Sequence, residues 1–146
     1  MPEAPVQNFS NHTRLLPIYH FFALPVTLLY ALYQIYEAAR NPTTASIVWA
    51  VYASAIACAV LASRFMAVSV QDRVIRLEET LRMQRILPAS MQGDIAKLTR
   101  RQFVALRFAS DDELADLVRR TVAGEFQTQK EIKQAVKNWR ADWLRA

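Results

Sequence analysis

The hydrophobic pattern divides the chain into an apolar first half and an amphipathic second half. Residues 15–36 and residues 42–63 are two stretches of 22 residues, and neither contains an Asp, Glu, Lys or Arg. A bilayer core of about 30 Å requires about 20 helical residues, so each stretch is long enough to cross it. Because the link EAARNPTT is short, the pattern predicts an antiparallel transmembrane hairpin. The alternative is a buried pair of soluble helices, but 146 residues offer little surrounding core to cover one.

Beyond the second apolar stretch, the apolar positions follow helical spacing and charged residues lie between them. No Gly or Pro interrupts the chain before Leu87-Pro88, which predicts one helix over about residues 45–86. This helix carries a heptad-like apolar stripe. We expect the following helices to dock on the stripe, because two heptads are too few to indicate a coiled coil. The stripe consists of Val70, Val74, Leu77 and Leu81.

Three capping boxes predict short helices after this break. In each box a hydroxyl residue satisfies a free backbone donor, while the residue three positions later reaches back. The boxes pair Thr99 with Gln102, Ser110 with Glu113, and Thr128 with Glu131. They place helices near residues 100–108, 111–123 and 129–143, with Gly124 ending the middle one.

The composition supports helices throughout, since the chain contains only two glycines. The predicted fold class is therefore all-α: a transmembrane helical hairpin whose second span continues into a cytoplasmic helix, followed by a small helical domain. The predicted organisation is a polar N-terminal segment at 1–14, the hairpin at 15–63 and the cytoplasmic domain at 64–146. Residues 1–14 lack the pattern of a cleavable signal peptide, so the first span is expected to remain in the mature protein.

The charge distribution predicts the orientation of the hairpin. Residues 1–63 hold two basic and two acidic residues, so the whole net charge of +5 lies in residues 64–146. Basic residues concentrate on the cytoplasmic side of membrane spans. The hairpin loop offers only Arg40, whereas the exit of the second span is followed by four arginines. These are Arg64, Arg73, Arg76 and Arg82. We therefore expect both termini to be cytoplasmic.

Small residues recur every four positions along both predicted spans. Membrane helices associate where small side chains allow close backbone approach, because apolar surface gains nothing by leaving lipid. The two small-residue faces are therefore predicted to pack together, unless the second serves another subunit or the spacing arises by chance. The first face consists of Ala23, Thr27 and Ala31, and the second of Ser46, Ala50, Ser54, Cys58 and Ala62.

The last predicted helix combines a basic stripe with an aromatic one. Such a helix can lie on an anionic leaflet, with cations on phosphates and tryptophans at the headgroups. The alternatives are a solvated basic face over an aromatic core, or nucleic-acid binding, which no recognisable module accompanies. We predict no nucleic-acid partner. The residues predicted to contact lipid or a partner are Lys130, Lys133, Lys137, Trp139, Arg140 and Trp143.

The candidate chemistry is sparse. An enzyme requires a nucleophile, a base or a metal cluster, whereas the single Cys58 lies in an apolar stretch and the carboxylates form helix pairs and caps. His20 lies near the start of the first span, where an interfacial or hydrogen-bonded role is favoured over that of a haem ligand or proton relay. We therefore predict no enzymatic activity, no catalytic residue, no metal and no cofactor.

Several motifs together resemble a known family. They are QNFSNHTRLLPIYHF, the two spans, QDRVIRLEETLR, LTRRQFVALRFASDDEL and IKQAVKNWRADWLRA. In this order they resemble a family of small bacterial two-span membrane proteins described only as a domain of unknown function. The resemblance implies a membrane hairpin, a bacterial source and a helical cytosolic tail. We therefore expect the protein in the bacterial inner membrane. It implies no activity, cofactor or catalytic residue.

These observations favour a non-enzymatic interaction protein. One version is an accessory or structural subunit of a larger bacterial membrane complex of respiratory or photosynthetic type, with membrane lipids and other integral subunits as partners. The other is a free scaffold that binds the anionic cytoplasmic leaflet and self-associates, so homo-oligomers are also considered. An oligomeric channel or transporter is less favoured, because the spans carry few polar residues.

Overall fold

The computed structural model describes residues 7–12 and 15–142 of the chain. These residues fall into two compact units. The first, here called the helical unit, contains residues 7–12 and 70–142, and the second, the apolar unit, contains residues 15–69. The described residues form helices and no strand, apart from one isolated antiparallel bridge.

The apolar unit begins with a π-helical segment, Ile18–Ala23, followed by helix α1, Leu24–Arg40. The N–H of Leu24 donates to the carbonyl of Tyr19, five residues back. Pro25 has no N–H to donate in the next position, so an ordinary α-helical ladder is interrupted here. The wider π-helical turn ends next to this proline.

Helix α2, Thr44–Ile86, is 43 residues long and crosses from the apolar unit into the helical unit. Thr43 and Ser46 cap its start: each side-chain oxygen accepts from the other's backbone N–H, at 3.0 and 3.1 Å. The helix ends immediately before Leu87-Pro88, where Pro would clash with the preceding turn. The prediction of one continuous helix over residues 45–86 is confirmed.

Both apolar helices are long and apolar enough to cross a membrane. Only 6% and 17% of the residues in their most apolar stretches are buried within the described chain. Between the two helices, Ala31 shares a small buried cluster with Ala53 and Ala57, and the Tyr19 hydroxyl donates to the Val60 carbonyl at 3.2 Å.

In the helical unit, short helices follow α2. A 3₁₀ turn, Ala89–Met91, leads into α3, Gln92–Ile95, which the sequence analysis did not predict. Then come α4, Arg100–Leu106, α5, Asp111–Val122, and α6, Gln129–Ala135. The predicted starts of the last three are confirmed. Thr99 and Gln102 form the full capping box, and Gly124 follows α5 with φ +80°, the left-handed conformation that Gly adopts without strain.

The predicted helix over residues 129–143 is wrong beyond Ala135. Val136 is extended, with ψ +121°, and the next two backbone N–H groups donate to the Glu113 carboxylate at 3.0 and 3.1 Å. Trp139 then forms the isolated bridge with Ala109. Because a helix would direct those N–H groups to its own carbonyls, these long-range bonds replace the last two predicted turns.

The core of the helical unit lies between α2 and the short helices. Its fully buried members come from α2, α4, α5 and α6: Met83, Phe103, Leu106, Leu114, Leu117, Val118 and Ile132. From α2, the side chains of Ile75, Glu79 and Met83 face this core.

The apolar stripe on α2 is not part of this core. Its four side chains are 47–62% exposed, and at about 100° per residue they lie on roughly the opposite side of α2 from the buried face. The expectation that the following helices dock on it is therefore wrong. They dock on the face containing Ile75 and Met83, where α2 also places charged groups with partners in the helical unit. We call the four exposed residues, Val70, Val74, Leu77 and Leu81, the α2 stripe.

Candidate interaction surfaces

A network of buried charges in the helical unit surrounds Arg82 on α2. The Arg82 guanidinium donates to Glu79 Oε2 at 2.9 Å, to Asp111 Oδ1 at 2.5 Å and to the Ala109 carbonyl at 2.7 Å. Arg140 donates to the other oxygen of Glu79 at 3.1 Å. The network therefore ties the start of α5 and the C-terminal segment to α2.

The carboxylates of this network are shifted in opposite directions. Burial raises the pKa of Glu79 above 4.5, and the charges and hydrogen bonds of Arg82 and Arg140 offset only part of that rise. The hydrogen bond from Arg82 lowers the pKa of Asp111, which lies at the surface. A buried acid with a raised pKa is typical of catalytic sites. Here, however, both oxygens of Glu79 accept from arginines, which indicates a role in holding the fold.

A second cluster combines aromatic and basic side chains. The rings of Phe108 and Trp139 are 4.8 Å apart between centroids, and the His12 ring lies 5.7 Å from Phe108 and 5.8 Å from Trp139. Lys133 places its Nζ 5.5 Å from the Phe108 ring centre and 3.1 Å from His12 Nε2. Two of the predicted lipid or partner contacts, Lys133 and Trp139, are thus engaged within the helical unit.

The other predicted C-terminal contacts are divided among different surroundings. Lys130 and Lys137 are exposed, Arg140 pairs with Glu79, and Trp143 lies outside the described residues. Because α6 ends at Ala135, these residues do not share one helical face. The predicted basic stripe is therefore absent from the part of the chain that the structure describes.

Some of the basic residues instead line a cleft of about 620 Å³ between the N-terminal residues and the starts of α4 and α6. Its basic lining residues are His12, Arg101, Lys130 and Lys133, and neither Asp nor Glu lines it among the described residues. Phe9, Phe126 and Ile132 supply apolar walls. Basic and apolar groups together suit an amphiphilic anion.

The predicted span-packing residues are brought together only in part. Ala31 is buried in the cluster with Ala53 and Ala57, one position before Ser54 and Cys58. The remaining predicted residues fall into a half-buried set, Ala23, Thr27, Ser46, Ala50 and Ser54, and an exposed pair, Cys58 and Ala62. The hydroxyls of Thr27 and Ser54 donate at 2.7 Å to carbonyls of their own helices, which satisfies them without water.

The described residues contain no group of three or more His, Cys, Asp or Glu that could hold a metal ion. His20 has its Nδ1 2.9 Å from the Leu16 carbonyl and its ring edge-on to Tyr19. The Cys58 thiol is free and exposed.

Comparison with known families covers almost the entire chain. Residues 3–146 match the model described as "Family of unknown function (DUF6526)". The chain belongs to this family. No curated protein and no solved structure matches the chain significantly.

In this DUF6526 chain the match includes both the apolar and the helical unit, so the two belong to one family architecture. Sequence reasoning missed the contact between the N-terminal residues and the C-terminal segment. Gln7 exchanges hydrogen bonds with the backbone of Asp142 at 2.8 and 3.3 Å, and His12 joins the aromatic cluster. No spacing or motif in the sequence predicts these contacts, because 135 residues separate Gln7 from Asp142.

Proposed function

We propose that this protein is a non-enzymatic integral membrane protein, and that it serves as an accessory or structural subunit of a larger bacterial membrane complex. In this proposal the apolar helices form an anchoring hairpin. The helical unit is the cytoplasmic module that contacts other subunits.

One observation carries the membrane assignment: the large apolar side chains of both long helices are exposed. Phe21, Phe22 and Leu29 are 64–69% exposed, and Trp49 and Val51 on α2 are 53% and 65% exposed. Soluble proteins rarely expose contiguous apolar surface on this scale. Removing one such side chain from water contributes about 1.5–3 kcal/mol, so lipid would stabilise the two helices strongly.

The contacts within the apolar unit support a hairpin. Ala31, in the middle of α1, meets Ala53 and Ala57 early in α2, whereas Tyr19, which precedes α1, contacts Val60 further along α2. This order suits two antiparallel helices. The arginines that follow residue 63 favour a cytoplasmic helical unit, with both termini on that side of the bacterial inner membrane.

An interaction role is supported by how the charged groups are used. Arg82 donates to both Glu79 and Asp111, and Glu113 accepts from the backbone of the C-terminal segment. These contacts build a rigid module. They leave the exposed spans and the α2 stripe as surfaces for other chains.

A second candidate function follows from the basic cleft. Arg101, Lys130 and Lys133 line it together with apolar side chains, which suits the headgroup of an anionic lipid. In this version the protein is a free scaffold whose helical unit binds the cytoplasmic leaflet.

The proposal is tested with the full chain expressed in bacteria. We expect the protein to stay in the membrane pellet after alkaline carbonate washing, and a C-terminal tag to be digested only after the membrane is opened. Recovery in the soluble fraction, or digestion in intact spheroplasts, would overturn the membrane assignment.

The partner is tested by size analysis after mild-detergent purification. Ala53→Leu enlarges the buried contact between the apolar helices, and Ala62→Leu is its control at an exposed position. A subunit should copurify with another chain at fixed stoichiometry, and Ala53→Leu should reduce this more than Ala62→Leu. A homogeneous species that contains only this chain overturns the subunit role. If the protein then binds anionic lipid and Lys130→Glu abolishes this binding, the free-scaffold function is favoured.

A further inference from the structure

The α2 stripe is an apolar surface on the helical unit that nothing in the described chain covers. Val70, Val74, Leu77 and Leu81 are 47–62% exposed, whereas the opposite face of the same helix contains Met83, which is fully buried. The helical unit contacts α2 away from the stripe, through Asp111 at Arg82 and Arg140 at Glu79. The core of the helical unit is therefore formed without the stripe residues.

The spacing within the stripe is that of a two-stranded coiled coil. Successive members are four, three and four residues apart, which is the alternation of d and a positions in a heptad. Val70 and Leu77 take d positions, and Val74 and Leu81 take a positions. At the centre of the stripe, Val74 at a and Leu77 at d are the combination that favours two strands in a parallel coiled coil, whereas the outer residues, Val70 at d and Leu81 at a, have the reverse order.

The charged residues beside the stripe indicate which kind of partner would fit it. With this register, Arg73 occupies the g position on one side of the stripe and Glu78 the e position on the other. Both are exposed, and neither forms an ion pair with the described residues. In a parallel pair, the g residue of one helix faces the e residue of the next heptad on its partner. Two copies of this chain would therefore place Arg73 opposite Glu78 twice, once on each side.

We propose that the α2 stripe is a homodimer interface, in which two copies of α2 pair in parallel through Val70, Val74, Leu77 and Leu81. The inference rests on the proposed membrane anchoring in one respect. Copies inserted with the same orientation present their stripes in parallel. Two heptads are too short for a stable coiled coil in water, so the pair depends on the high local concentration of chains in the membrane.

The first test is site-specific crosslinking of the full chain in native membranes. The background is Cys58→Ala, because the natural thiol is exposed. Leu77→Cys and, as a second reporter, Val74→Cys place a thiol in the stripe. Ser69→Cys is the matched control: it is isosteric, exposed and outside the stripe. In a parallel pair, equivalent a or d positions approach closely enough to be bridged, so we expect roughly tenfold more covalent dimer from either stripe position than from Ser69→Cys. Equal yields from all three overturn the proposal.

The second test is charge exchange in the Cys58→Ala, Leu77→Cys background, again in native membranes. Arg73→Glu and Glu78→Arg each place like charges across the pair, and we expect each to lower the yield of covalent dimer. The double variant restores opposite charges and should recover the yield of the parent chain. Absence of this recovery overturns the parallel pairing. Carbonate extraction of the same preparations tests the membrane anchoring separately. If the protein stays in the membrane but gives no crosslinks through the stripe, only the homodimer proposal is refuted. If the protein is soluble, the proposed membrane function is refuted.

Discussion

The Arg82 network offers a direct test of what holds the helical unit together. The side chains of Arg82 and Glu79 are each 6% exposed, and replacing Arg82 by Met removes the charge while keeping most of the side-chain volume. Glu79 then retains only Arg140, and the Ala109 carbonyl loses its donor. The variant therefore leaves a buried carboxylate with one half-exposed partner.

The cost follows from the burial of the remaining charge. Removing one partner of a buried ion pair costs about 3–5 kcal/mol, because the other charge stays desolvated. Arg140 still pairs with Glu79, and Asp111 is 59% exposed and regains water. We therefore expect the lower end, about 3 kcal/mol, for Arg82→Met.

Hydrogen exchange of the full chain in detergent measures this loss. Amides of Phe103 and Leu114, both buried in the core, exchange when the helical unit opens. A loss of about 3 kcal/mol corresponds to exchange about 100-fold faster under equilibrium conditions. Amides in α1 should not change.

Arg119→Met is the matched control for this variant. Arg119 pairs with Asp116 at 3.5 Å, but the two side chains are 67% and 59% exposed. Such a surface pair contributes about 0–1 kcal/mol, so exchange should rise by less than about fivefold. Similar effects of Arg82→Met and Arg119→Met would refute the reasoning. If the buried charge is the cause, Glu79→Gln combined with Arg82→Met should be more stable than Arg82→Met alone.

Three further predictions concern the same unit. Because burial raises the pKa of Glu79 in the folded state, the contribution of Glu79 to the free energy of unfolding is greatest at low pH. The free energy of unfolding of wild type minus that of Glu79→Gln should therefore fall as the pH rises above 4.5. A difference that stays constant or rises contradicts this. Gly124→Ala forces a left-handed Ala and should cost about 1–2 kcal/mol, whereas Gly93→Ala, in a helix with open space around it, should stabilise by about 0.5–1 kcal/mol; equal shifts in melting temperature refute the conformational argument. Leu114→Ala should cost about 2–5 kcal/mol in urea unfolding, since Leu114 is fully buried, and a loss below 1 kcal/mol indicates a loosely packed core.

Local signals explain which parts of the fold could be predicted. The two long apolar helices follow from uninterrupted uncharged sequence, and α2 ends where Pro88 forbids its continuation. The starts of α4, α5 and α6 follow from a hydroxyl residue and an acid or amide three positions later. These features depend on residues that are close in sequence, so they can be predicted from the sequence.

Long-range contacts explain what could not be predicted. The amphipathic pattern of residues 129–143 predicts a helix, but the Glu113 carboxylate captures the N–H groups of Lys137 and Asn138 and ends it early. Likewise, α2 has two apolar faces in the helical unit, and periodicity alone does not decide which of them the following helices use. The buried face of α2 is the one that contains Ile75 and Met83. Glu79 and Arg82 lie between these two residues in sequence, and their hydrogen bonds hold the helical unit on this face.

The hydrogen bonds between Gln7 and Asp142 have a consequence for the order of events during synthesis. The ribosome makes Gln7 before Asp142, and 135 residues separate the two. At about 5–20 residues per second, Gln7 waits roughly 7–27 s for Asp142 to be added. Phe108 is added late in this interval, and its ring lacks its partner until Trp139 has also been made. Chaperones that attend the emerging polypeptide would therefore meet an exposed Phe108 ring between the synthesis of these two residues.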